Sequence, residues 1–324
     1  MDSSLAAQAV HISEQIEFVV KGKPTPSAAV VVVSSSRSGS TWLADMLSIM
    51  LRLQQVFEPL HPKHSAEVRR LTGFDPKQDH FRSYYLRASD IDPDWNRLLE
   101  AVLTGRARSR WTDAVPTIWS PQGYLIKMIR ANLMLGYILD QFQPRLIYLV
   151  RHPCAVVHSR LTLGWSANAR VLLTQEKLVE DYLQPWVSQI EREEDIVGSH
   201  ALWWAVENLV AQRELSTRPH YRVFYEHLML DPMQETKLIA EHVGLPASDI
   251  PKAVIENFSR TSHRVGIDTP VARLVSWKEG LSQEDQFRVL DWVNRLGITW
   301  YGMEIWPNDS SCRGTPPRDN DRRA

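Results

Sequence analysis

Residues Ser34 to Thr41 read Ser-Ser-Ser-Arg-Ser-Gly-Ser-Thr, a run of hydroxyls around Arg37 and Gly39. Such a run suits an anion, because hydroxyls and a guanidinium donate hydrogen bonds and a Gly lets backbone N–H groups come close. The residues on either side say where the run sits. Ala28 to Val33 is a short, unbroken apolar stretch rich in Val, which suits a strand covered on both faces. Trp42, Leu43, Met46, Leu47 and Met50 recur at helical spacing. A loop between such a strand and helix faces the open helix N-terminus, whose partial positive charge favours phosphate or sulfate. An ordinary capped βα turn would use many of the same residues, but the charge of Arg37 and the small Gly39 favour the anion. Ser34 and Ser40 stand where a nucleoside-triphosphate loop needs its first Gly and its Lys, so that motif is absent.

A second group of candidates lies at other strand ends. Arg145 to Val150 is a strongly apolar strand, and Arg151 follows it at once, with Ser159 eight residues on in a helix opened by Pro153. Glu58 follows a short strand, Gln54 to Phe57, in a Glu-Pro context, with His61 and His64 close behind. Lys127 lies near the end of another strand, Gly123 to Met128, and Tyr225 ends a fifth, Tyr221 to Tyr225. Helical patterns separate these strands: Leu133 to Phe142, Leu172 to Glu194, His200 to Leu215, Met233 to Val243 and Gln283 to Leu296. The alternation predicts an α/β fold, a three-layer sandwich whose central, mostly parallel sheet of about five strands is flanked by helices. Ligands of such sheets bind at the carboxyl ends of the strands, where Arg37 and Arg151 both fall.

The loop also carries a family resemblance. Arg37-Ser38-Gly39-Ser40-Thr41-Trp42 resembles the 5′-phosphosulfate loop of sulfotransferases that use 3′-phosphoadenosine 5′-phosphosulfate, and it fits at every position. Leu149-Val150-Arg151-His152-Pro153, continued by Ala155, Ser159 and Arg160, resembles the 3′-phosphate motif of that family. The resemblance implies that Arg37, Ser38, Gly39, Ser40, Thr41 and Trp42 hold the 5′ end of the donor and that Arg151 and Ser159 bind its 3′-phosphate. Tyr225-Glu226-His227-Leu228 is similar to the family's Tyr-Glu-Asp-Leu segment, which puts Tyr225, and Trp42 by stacking, beside the adenine. Ser276-Trp277-Lys278 with Leu281 and Ser282 resembles a segment of the carbohydrate sulfotransferases, and the Arg-Lys-Gly triplet of the cytosolic steroid and phenol branch is missing. The likeness runs loosely from Ala28 to about Gly302 and points nearer the carbohydrate and bacterial small-molecule branch.

Sulfuryl transfer needs positive charge on the leaving phosphate and a base for the acceptor's proton. Arg37 supplies the first, and Lys127 is placed to help. Glu58 is the favoured base, because its context resembles the Phe-x-Glu-Pro segment of carbohydrate sulfotransferases; for work at neutral pH, burial must raise its pKa. A cap or salt-bridge role fits Glu58 equally well, and His61 and His64 are rival bases because imidazole titrates near neutrality. The acceptor read this way is a small molecule, a sugar or natural product, offering a hydroxyl or amine. A kinase on a similar sheet and a non-catalytic nucleotide-binding relative are the alternatives.

Composition bounds the remaining possibilities. Across 324 residues, Lys and Arg number 37 and Asp and Glu 38, a formal charge of −1 that offers no global field for nucleic acid. Cys154 and Cys312 are too far apart to suggest a disulfide framework, and His61-Pro62-Lys63-His64 lacks the spacing of a zinc site, so no metal is expected. No run approaches a membrane span, and Met1 to Gly22 lacks the apolar core of a signal peptide, so a cytoplasmic protein is expected. Residues 1–306 read as one domain, with 65–121 and 165–194 as acceptor-side insertions or lids and 307–324 as a disordered tail.

Overall fold

The computed structural model describes residues 24–75, 83–115, 117–256 and 270–308. The expected tail beyond residue 308, Cys312 and the N-terminal 23 residues lie outside the described residues.

Five strands form one sheet: β1 (Val30–Ser34), β2 (Leu53–Phe57), β3 (Gly123–Met128), β4 (Arg145–Val150) and β5 (Tyr221–Phe224), in the order β2-β3-β1-β4-β5. Every neighbouring pair is parallel. β1 is central, with Val32 aligned with Lys127 on one side and Ile147 on the other. That position explains its unbroken valines, all of them 0 % exposed, since a central parallel strand is covered on both faces.

The main helices are α1 (Ser40–Met50), α2 (Pro93–Leu103), α3 (Leu135–Phe142), α4 (Pro153–Thr162), α5 (Ile196–Leu215), α6 (Tyr225–Leu230), α7 (Pro232–Val243), α8 (Pro270–Gly280) and α9 (Gln283–Arg295). The strand period of two sorts the core into two layers. Val30, Val32, Leu125, Ile147 and Leu149 face Leu43 and Leu47 of α1 and Ile239 and Val243 of α7. Val31, Val33, Ile126, Tyr148 and Val150 face the other way, with Leu99 of α2, Ile138 of α3, Val157 of α4 and Val206 of α5. The architecture is therefore the three-layer α/β sandwich expected from the alternation, and the sheet is wholly parallel.

Three elements depart from the sequence reading. α5 starts at Ile196 rather than His200, because the Asp195 side chain accepts from the Gly198 N–H at 2.9 Å and caps the helix there. The pattern read as one helix over 172–194 is a chain of short turns ending in a helix over Val187–Arg192. Pro185, inside the turn Gln184–Trp186, has no N–H to continue a helix. Leu172, Leu178, Leu183 and Ile190 from this segment are fully buried in the core, so it forms part of the fold's inner layer. Finally, β5 stops at Phe224, and Tyr225 is the first residue of α6.

The segment after β2 also has a structural role. As an edge strand β2 would expose a row of unpaired backbone groups. Thr112 O accepts from the Phe57 N–H at 3.0 Å, and the Gln54 side chain accepts from the Ile118 N–H at 3.1 Å. Thr112 and Ile118 thus pair with that edge.

Candidate active site

Two backbone outliers mark the carboxyl ends of β1 and β2. Arg37 has φ 71° and Glu58 has φ 42°, in the left-handed region that side chains with a Cβ adopt only when the surroundings enforce it. For Glu58 the enforcement is visible: its N–H donates to Lys127 O at 2.9 Å, and its carbonyl accepts from the His61 N–H at 3.1 Å and from Trp111 Nε1 at 3.2 Å.

At the end of β1 the chain turns through Ser35 to Gly39 and enters α1. The loop is held from behind by Asn132 Nδ2, which donates to Ser34 O at 3.0 Å, and by Asn208 Nδ2, which donates to Ser35 Oγ at 3.3 Å. The hydroxyls of Ser36 and Ser38 are buried without a hydrogen-bond partner among the described residues. Buried hydroxyls are normally satisfied, so donors left over in a loop at a helix N-terminus are what an anion would use.

Arg37 joins the loop to the second sequence motif. Its Nε donates to Ser159 Oγ at 3.2 Å, and its carbonyl accepts from Arg151 Nη1 at 2.9 Å. Residues far apart in sequence thereby meet at one point. Arg151 also lies 4.4 Å from the centroid of the Tyr225 ring. On Gly39, at φ 93°, an added Cβ would fall 2.3 Å from Tyr225 Cε2. Tyr225 is therefore wedged between the loop and Arg151. Trp42 is 2 % exposed, donates from Nε1 to Ile255 O at 3.2 Å and meets Tyr225 edge-on at 6.4 Å. Its place is in the core beneath Tyr225, a position that supports the wedge without offering an open ring face.

Gly39→Ala tests that packing. The substitution forces a Cβ residue into the left-handed region, at a cost of about 1–2 kcal/mol, and drives the new methyl into the Tyr225 ring. A lowered thermal midpoint is the expected result, read by scanning calorimetry.

The acidic residue at the end of β2 is not alone. Lys127 Nζ contacts Glu58 Oε1 and lies 4.5 Å from the centre of the Phe57 ring, while Arg130 Nη1 is 3.3 Å from Glu58 Oε2. All three side chains are nearly excluded from solvent. Burial raises the Glu58 pKa, as the sequence reading required, but Lys127 and Arg130 more than offset it and leave the carboxyl below its ordinary value. Burial also lowers the Lys127 pKa, against the pull of Glu58. For His61, burial and then Arg130 push the pKa down to about 3, and His64 is shifted in the same direction. Both imidazoles belong to a ring cluster, His64 stacking on Trp111 with centroids 3.9 Å apart and His61 packing against Trp111 at 5.1 Å. The site thus brings Glu58, Lys127, His61 and His64 together, and adds Trp111.

Several contributors escaped the sequence reading. Arg130 lies three residues past Lys127, and its distance from Glu58 in sequence concealed it. Glu226 was read only as part of a resemblance. It is 1 % exposed and accepts from the His152 N–H at 3.0 Å and from the Tyr301 hydroxyl at 2.5 Å, which ties the Arg151 turn to the C-terminal part of the chain. Trp277 of α8 stacks on His152 at 4.3 Å and completes that tie. His227 packs against Phe224 at 5.9 Å, away from these bonds.

The geometry defines an α/β protein in which a hydroxyl-rich loop follows β1 and a buried carboxylate with two cations follows β2, both at the carboxyl edge of the sheet. The sulfotransferase family model matches residues 29–249, and the chain belongs to that family. No curated protein matches the chain. Among solved structures, the sulfotransferase domain from the curacin biosynthetic pathway is similar at 18% identity, with 83% of this chain and 97% of that one covered and a TM-score of 0.46. A sulfotransferase domain from the Synechococcus PCC 7002 olefin synthase matches at 19% identity, covering 87% and 99%, with a TM-score of 0.45. A retinol dehydratase structure in complex with androsterone and inactive cofactor PAP matches at 15% identity, covering 84% and 81%, with a TM-score of 0.37.

Among the described residues no helix is long and apolar enough to cross a membrane, and no group of three or more His, Cys, Asp or Glu side chains is placed to hold a metal ion.

Proposed function

We propose that this sulfotransferase uses 3′-phosphoadenosine 5′-phosphosulfate as donor and transfers its sulfuryl group to a hydroxyl or amine of a small acceptor. The observation that carries the donor assignment is the meeting of Arg37, Arg151 and Ser159 at one point beside the buried hydroxyls of Ser36 and Ser38. These residues fit such a donor. Ser36, Ser38, Ser40, Thr41, Arg37 and the N-terminus of α1 would hold its 5′ end; Arg151 and Ser159 would hold its 3′-phosphate, with Tyr225 bracing Gly39 and Trp42 beneath it. Once bound, the donor supplies an electrophilic sulfur whose bond to the phosphate oxygen breaks as the acceptor's bond forms.

The rest of the chemistry belongs to this chain. Glu58 takes the proton from the acceptor, and Arg37 and Lys127 stabilise the charge that gathers on the departing phosphate. A carboxylate held ionised by Lys127 and Arg130 is ready to accept a proton at neutral pH, although the same cations weaken it as a base. His61, with its pKa near 3, is poorly suited to that role. The acceptor side is formed by two segments bound to each other: Tyr85 OH donates to Asp181 at 2.7 Å, Gln175 accepts from the Tyr85 N–H at 2.8 Å, and Arg87 Nε reaches Asp181 at 2.7 Å.

Calorimetric titration with adenosine 3′,5′-bisphosphate beside ATP–Mg²⁺ tests the donor without needing an acceptor. Tight binding of the bisphosphate with little of ATP is expected. The reverse preference would overturn the reading in favour of a kinase.

A further inference from the structure

A buried carboxylate lies near the loop that follows β1. Glu207 of α5 is 0 % exposed. It accepts from Ser83 Oγ at 2.7 Å, and its other oxygen is 3.7 Å from Arg160 Nη2. Arg160, itself 2 % exposed, stands next to Ser159 and reaches two carbonyls, Ser36 O at 3.5 Å and His200 O at 3.4 Å. The next residue on α5, Asn208, donates to Ser35 and accepts from the Tyr148 hydroxyl at 2.9 Å. Burial raises the Glu207 pKa above its ordinary value, against the pull of Arg160, of hydrogen bonds from Ser35 and Ser83, and of Arg130, the second cation on Glu58.

The side chains therefore form a buried row of alternating sign: Lys127, Glu58, Arg130, Glu207, Arg160. It runs from the Lys127–Glu58 pair to Arg160, which reaches the loop backbone at Ser36 O. Excluding a carboxylate from water is costly, and a buried pair is often no more stabilising than apolar residues of the same size. What the row supplies is a fixed geometry: Glu207 holds the Ser83 hydroxyl with one oxygen and faces Arg160 with the other, and Arg160 in turn reaches the loop carbonyl at Ser36.

We propose that Glu207 is a positioning residue of the sulfuryl-transfer site, which by its charge holds Arg160 under the donor loop and by its hydrogen bond fixes Ser83 of the acceptor-side segment. This rests on the donor reading above insofar as the loop holds the donor's 5′ end.

The test compares Glu207→Gln, which keeps the shape and the acceptor for Ser83, with Glu207→Asp, which keeps the charge. Two readouts are taken: amide hydrogen exchange of the 34–41 segment in the free enzyme, and calorimetric affinity for adenosine 3′,5′-bisphosphate. A charge-based role predicts exchange in 34–41 about tenfold faster in Glu207→Gln, with Glu207→Asp intermediate, and bisphosphate affinity falling in the same order. A side chain that merely fills space predicts the opposite order, because Gln matches the native volume and Asp does not. Glu207→Gln indistinguishable from the native chain, or Glu207→Asp worse than Glu207→Gln, would overturn the proposal. Should the native enzyme fail to bind the bisphosphate, the donor reading falls, and the exchange order still judges Glu207. If Glu207→Gln does not fold, Ser83→Ala takes its place. That variant removes a partner of Glu207 outside the loop, and about threefold faster exchange in 34–41 is expected, with unchanged exchange overturning the role.

Discussion

Arg151→Ala should weaken binding of adenosine 3′,5′-bisphosphate by roughly tenfold to a hundredfold, which corresponds to the loss of about 1.5–3 kcal/mol from a charge-assisted hydrogen bond. Binding of adenosine 5′-phosphosulfate, which lacks the 3′-phosphate, should change only a few-fold. The residual effect is expected because Arg151 also holds the loop through Arg37 O and packs on Tyr225. The ratio of the two losses is therefore the informative quantity, and calorimetry with both nucleotides measures it. Equal losses would mean that Arg151 supports the loop and does not bind the 3′-phosphate.

Glu58→Gln should lower turnover of any acceptor the native enzyme uses by about 10²–10⁴-fold, the range of a lost general base, while bisphosphate affinity changes little. His61→Ala and His64→Ala should cost far less, since burial and Arg130 leave the His61 imidazole neutral down to about pH 3 and a poor proton acceptor. The pH dependence follows from sign. A base whose pKa is depressed stays ionised as the pH falls through its ordinary value, so the acid limb of kcat/KM should lie below 4.5. An anionic donor beside Arg37, Lys127 and Arg130 offsets their pull on Glu58, so the acid limb of kcat should lie above that of kcat/KM. A steady-state pH profile of the native enzyme and the three variants checks both statements. Turnover that survives Glu58→Gln would assign the carboxylate to holding Lys127 and Arg130 in place.

Much of the fold was legible in the chain because its signals are local. An unbroken run of valines, a hydroxyl-rich loop and a helical period are contained within Ala28 to Met50, and they fix a buried strand and a helix N-terminus without help from the rest of the molecule. The same holds for Arg145 to Ser159, where a strand ends on Arg151 and Pro153 opens a helix. Alternation of such units is enough to give a parallel sheet, and with it the edge at which Arg37 and Arg151 fall.

Local pattern was therefore enough for the sheet class, the hydroxyl-rich loop at a helix N-terminus and the candidates Arg37, Arg151, Ser159 and Glu58. How these residues approach one another came from the folded chain alone. Arg37 reaching Ser159, Arg130 reaching Glu58 and Ser83 reaching Glu207 are contacts between residues 122, 72 and 124 positions apart. Spacing along a chain carries no record of such approaches. The broken helix over 172–194 has a local cause in Pro185 and a non-local one: its apolar residues must enter a core whose shape other elements set. The protonation of Glu58 depended on tertiary structure most of all. Burial and two cations pull its pKa in opposite directions, and their balance depends on distances of a few ångströms that no local pattern encodes.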